Sequence, residues 1–120
     1  MKLLFVLAMT LSGLLLAGPR RLDEIVAAER LFASESPRLG QRQAFLNFFS
    51  SQCISFSPAP GNAVERLMKR PAETPPFPFI LQWTPVNGDV SSAGDLGYTT
   101  GPYTLTTSEG KQSHGLYFSI

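Results

Sequence analysis

From Phe77 onward, apolar side chains recur at every second position, and this period of two is the strongest constraint on the fold. Strands put alternate residues on opposite faces, so the pattern demands a sheet with one covered face. Phe77–Pro85 reads as a strand with Phe77, Phe79, Leu81 and Trp83 on one face. Pro78 is tolerable there only near the strand's start. Val86-Asn87-Gly88-Asp89 carries an Asn-Gly turn signal, followed by a short weak strand over Asp89–Ser92 and a turn at Ala93–Asp95. Leu96–Thr107 reads as a long strand in which Gly101-Pro102 suggests a bulge or bend. After a hairpin turn at Ser108–Lys111, Gln112–Ile120 is the last strand, with His114, Leu116, Phe118 and Ile120 in phase.

The preceding half follows a different period. Residues 21–35 contain no Gly or Pro, and Leu22, Ile25, Val26, Phe32 and Ala33 recur at helical spacing. Ser36-Pro37 is expected to end this helix, because a residue before proline avoids the helical region. Residues 41–51 form a second helix with Ala44, Phe45, Phe48 and Phe49 as its stripe. Cys53–Pro58 reads as a strand of about five residues. Asn62 caps a third short helix, Ala63–Arg70, with Val64, Leu67 and Met68 inward. Helices followed by a run of antiparallel strands make an α+β fold, and such a sheet can curl into a cone with an apolar pocket at its open end.

Composition narrows the function classes. The chain has 120 residues, enough for one domain, with 10 basic and 9 acidic side chains. Charge this balanced argues against nucleic-acid binding through a basic patch. One Cys excludes an internal disulfide, and one Cys with one His excludes an ordinary zinc cluster. No phosphate loop, dinucleotide fingerprint or nucleophile elbow is present, so no cofactor or metal is expected. Lys2 precedes an apolar run from Leu3 to Ala17 that is short for a membrane span and fits an export signal, residues 1–17. The alternative is an uncleaved anchor, the one route by which a membrane would be a partner. The domain is then 18–120, and its compartment periplasmic or secreted. Cys53 has no partner there and reads as a buried free thiol.

The segments Ala28-Glu29-Arg30-Leu31-Phe32-Ala33, Gln43-Ala44-Phe45-Leu46, Phe56-Ser57-Pro58, Gly94 to Tyr103 and His114 to Ile120 resemble the nuclear transport factor 2-like superfamily, also called SnoaL-like or cystatin-like α+β. The likeness is to its bacterial secreted members of unknown function. It covers roughly residues 21–120, and Gly94 to Tyr103 is its most specific part. It implies N-terminal helices packed on a strongly curved sheet, a cone-shaped pocket, and in many members pairing of two copies through the sheet. Members usually continue past the last strand seen here, so the resemblance implies either a domain lacking its final strand or an edge covered by another copy. The superfamily includes isomerases and hydrolases, but no catalytic residue carries over.

Seven residues are candidates for lining a pocket. Glu29 falls on the apolar stripe of the first helix, where a carboxylate acts as a base or ligand anchor, or else reaches solvent or an arginine at the stripe's edge. Asp95 is either a turn residue or a carboxylate at the pocket mouth. Trp83, Tyr98, Thr100 and Phe56 are wall residues, with Tyr103 on the opposite strand face from Tyr98 unless a bend at Gly101-Pro102 shifts the phase. His114 either points toward the pocket or lies exposed at a strand end. The expected ligand is a small apolar molecule. A noncatalytic dimerisation module, or an isomerase or hydrolase acting in the pocket, is the alternative.

Overall fold

A computed structural model describes residues 19–120. The export-signal reading falls on residues 1–17 and lies outside the described residues. Among the described residues the fold is α+β: three helices and antiparallel sheets, in the order α1 (Pro19–Leu39), α2 (Gln41–Phe48), β1 (Ile54–Ser55), β2 (Gly61–Asn62), α3 (Ala63–Lys69), β3 (Phe79–Trp83), β4 (Asn87–Val90), β5 (Gly97–Thr107) and β6 (Gln112–Ser119). Among the described residues no helix is long and apolar enough to cross a membrane.

α1 corrects the expected stop at Ser36. The helix runs through Pro37 and ends at Leu39. Pro37 lies in the last turn, so the missing N–H removes a single late hydrogen bond. Gly40 makes the stop instead: its φ of 82° breaks the helix while its N–H still bonds the Ser36 carbonyl at 3.0 Å. Gly40 offers no capping side chain to α2, and Glu73 fills that role from a distance by accepting the Arg42 amide at 3.1 Å. Arg70 holds Glu73 in place at 2.6 Å.

The strand expected over Cys53–Pro58 shrinks to the two-residue β1, paired with β2. The chain reverses too soon for more, and Arg66 ties the loop down through the Ser55 hydroxyl at 3.0 Å. Asn62 caps α3 as expected, its Oδ1 accepting the Glu65 amide at 2.9 Å. Met68 is exposed rather than inward, because α3 packs through Ala63 and Leu67 and the next residue lies a further 100° around.

The Asn87-Gly88 hairpin does not form. Both β3 and β4 pair antiparallel with β5, as two parts of one interrupted edge, and β6 pairs along the other side of β5. Trp83 pairs with Tyr103 and Asn87 with Thr100. Three residues, 84 to 86, therefore oppose two, 101 and 102. The extra residue is a bulge, and it sits opposite the Gly101-Pro102 position where the sequence suggested one. Ladder bonds persist across it, from the Thr84 amide to Pro102 at 3.2 Å and from the Val86 amide to Thr100 at 3.0 Å. A side chain at Gly101 would overlap the Thr84 carbonyl oxygen, which explains the glycine. The bulge reverses phase, so Phe79, Leu81 and Trp83 of β3 share the helix-facing side with Gly88 and Val90 of β4.

The core is small and aromatic. Phe32 of α1 stacks on Phe48 at 4.8 Å and meets Phe45 and Trp83 edge-on at 5.0 and 4.8 Å. Such pairs add about 0.5–1.5 kcal/mol each beyond burial. Among the described residues, Phe32, Ala44, Ala63 and Leu67 are the buried apolar ones. The outer sheet face is mixed: Ile80, Leu116 and Phe118 are exposed there among Gln82, Thr104, Thr106 and His114.

Candidate functional site

Among the described residues, Glu29 is the one charged residue in the buried set, 9% exposed. Helical phase carries it onto the sheet-facing side of α1, one turn before Phe32. Its Oε1 accepts the Trp83 indole N–H at 2.5 Å, and its Oε2 accepts the Thr99 hydroxyl at 3.0 Å. Tyr117 in turn donates its hydroxyl to Thr99 at 3.4 Å. Four elements thus converge: α1, β3, β5 and β6. Burial raises the Tyr117 hydroxyl above its ordinary value and the nearby Glu29 charge adds to this, while the Thr99 contact lowers it.

Beside this cluster lies a cleft of about 970 Å³, open to solvent. Ile25, Glu29 and Phe32 form its α1 wall, and Phe48 and Phe49 close the α2 side. The segment from Ser50 to Phe56 and the sheet end at Gly97–Thr99 and Phe118–Ile120 complete it. The volume lies at the upper end of ordinary ligand sites, and its walls are mainly aromatic and aliphatic. Cys53 also lines it, and burial pushes its thiol up.

The seven expected residues do not all meet. Glu29, Phe56 and Tyr98 line the cleft. Trp83 does not line it but bonds Glu29, and it lines the second cleft instead. Phe56 is 77% exposed at the rim. The Tyr98 ring stacks on Phe118 at 5.1 Å, on the sheet side away from the helices. Thr100 shares that outer side and donates its hydroxyl to the Tyr117 carbonyl.

His114 is exposed, with Nδ1 at 3.0 Å from the Thr104 hydroxyl, and lines a separate cleft of about 740 Å³ with Arg30 and Gln82. The register fixes this placement. Thr99 pairs with Ser119 and faces Glu29, so β6 turns Gly115, Tyr117 and Ser119 to the helices and sends His114 outward.

Asp95 is a turn residue: it accepts the Ser91 hydroxyl at 2.7 Å, and that bond lowers its carboxyl below its ordinary value, with a smaller contribution from Arg21.

Sequence reasoning missed Thr99 and Tyr117. A signal did exist, because a buried indole N–H and a carboxylate on an apolar stripe both need partners. Among the described residues no group of three or more His, Cys, Asp or Glu side chains could hold a metal ion. No family profile, curated protein or solved structure matches the chain.

Proposed function

We propose that the protein is a small-molecule-binding module of nuclear transport factor 2-like type, acting after export and holding an apolar ligand in the cleft beside Glu29. The observation carrying this reading is the cleft itself: about 970 Å³ of space bounded by aromatic rings, with a single carboxylate at the wall. A core this small has no folding reason to leave such a volume unfilled, since filling it with side chains would add stability. The curl of the sheet around α1 is part of the same reading, and the export signal at residues 1–17 supplies the compartment.

Nile red, a neutral apolar dye, tests the proposal. Its fluorescence should rise on titration with the folded protein. Ala28→Trp, on the cleft wall but on the exposed side of α1, should abolish the rise by occupying the space while leaving the circular dichroism spectrum unchanged. A dye signal that Ala28→Trp leaves intact would refute the assignment.

A second reading rests on a different surface. Leu116 is 80% and Phe118 63% exposed on the outer face of the sheet, where the Tyr98 ring stacks on Phe118 and Ile80 lies on the same face farther along. Covering a large apolar side chain contributes about 1.5–3 kcal/mol. Pairing of two copies through this face would bury several at once, so the module is also proposed to self-associate there.

A further inference from the structure

We infer that the cleft selects a protonated amine with an apolar tail, an inference that rests on reading the cleft as a ligand site. The hydrogen-bond directions in the Glu29 cluster carry it. Tyr117 donates to Thr99, Thr99 donates to Glu29, and Trp83 donates to Glu29. Every side-chain donor of the cluster therefore points at the carboxylate or toward it. A ligand head that reaches the carboxylate therefore meets an acceptor whose protein donors are already spent, and it must bring its own proton.

Glu29 has room for that proton. An ionised carboxylate offers about four lone-pair sites, and the two protein donors occupy two. The charge pattern of the walls agrees: among the described residues lining the cleft none is Lys or Arg, and Glu29 is the single carboxylate. An anionic head would meet a like charge with no cation to offset it. A neutral hydroxyl head donates one hydrogen bond but brings no charge, so it gains less at the carboxylate than a cation does. A cationic head satisfies the acceptor, and the rings of Phe32, Phe48, Phe49 and Phe56 line the same space, where ring faces attract cations and apolar chains alike.

Octylamine, octanol and octanoate share one tail and differ in the head. Trp83 is the only tryptophan and bonds Glu29 directly, so its fluorescence reports events at the head site. At neutral pH octylamine should bind at least about tenfold tighter than octanol, with octanoate weakest. Glu29→Gln should bring octylamine to within about threefold of octanol, because the charge is lost while an acceptor remains. The wild-type ranking stands whether or not that variant folds. Octanoate or octanol binding as tightly as octylamine overturns the amine assignment alone, provided Nile red still binds. Failure of all three probes and of Nile red overturns the amine assignment and the cleft reading together.

Discussion

Glu29 and Trp83 lie 54 positions apart in sequence and meet at 2.5 Å, the indole N–H donating to the carboxylate across the interface between α1 and β3. The contact joins a polar need on each side. The helix carries a carboxylate on its covered face, and the sheet carries an indole whose N–H has left water. Each satisfies the other, and the Trp83 ring packs edge-on to Phe32 at 4.8 Å in the same place.

Trp83→Phe separates the two roles of that side chain. The smaller ring keeps much of the aromatic packing, but Oε1 of Glu29 loses its protein donor. An unsatisfied buried acceptor costs about 1–3 kcal/mol, more when charged. Urea unfolding should show a lower midpoint with an unchanged slope. A loss under about 0.5 kcal/mol, the size of an ordinary surface change, would mean that the bond contributes nothing to stability.

Gly101 tests the bulge. The Thr84 carbonyl oxygen occupies the space a Cβ would need, and backbone on both sides is fixed by ladder bonds to Pro102 and Thr100. Gly101→Ala should therefore destabilise by about 1–3 kcal/mol, as overpacking does. The same strain should weaken the pairing of Trp83 with Tyr103. Thermal unfolding with the Trp83 emission as probe should show both a lower midpoint and a shifted native spectrum. A Gly101→Ala protein as stable as the parent would remove the stated reason for the glycine.

These two sites mark what the sequence made legible. Period-two alternation located β3, β5 and β6 and assigned Trp83 and Tyr103 to their faces correctly, because side-chain phase is a local property of a strand. Glu29 stood out because a carboxylate on an apolar stripe is locally anomalous. Partner choice is not local. Asn87-Gly88 has the chemistry of a hairpin turn, yet Gly88 serves as a close approach to the Tyr98 carbonyl within β4. His114 and Phe118 share a face as read, but which face meets the helices depends on the register of β6 against β5, set by residues far apart. Pro37 shows the same limit at a helix end: local propensity lost to the packing of α1 on the sheet.

Tyr117 should make stability fall in alkali. Burial first, then the Glu29 charge, raises its hydroxyl above the ordinary 10.0, against an opposing effect from Thr99. In the unfolded chain the phenol ionises at its ordinary value, while in the folded protein it keeps its proton longer. The unfolded state then binds fewer protons, so stability falls as pH rises. The contribution is fully present below 10.0 and is lost as pH climbs from there through the folded value. Tyr117→Phe should flatten the decline in the urea midpoint between neutral pH and about pH 11. An equally steep decline in the variant would place its cause elsewhere.

The outer sheet face should govern self-association, independently of the cleft. Ile80 and Leu116 are exposed there at 40% and 80%, and neither lines the cleft. Threonine keeps the β-propensity of both positions while removing apolar surface. Sedimentation velocity on the parent should show a concentration-dependent shift toward a dimer, because two such faces bury their apolar side chains only against each other. The Ile80→Thr, Leu116→Thr double variant should sediment as a monomer over the same range and still bind Nile red. A parent that stays monomeric would remove the second reading, and a double variant that still dimerises would move the contact off this face. Loss of Nile red binding together with dimerisation would tie the cleft to the assembled pair, since Phe118 and Tyr98 belong to both the cleft rim and the outer face.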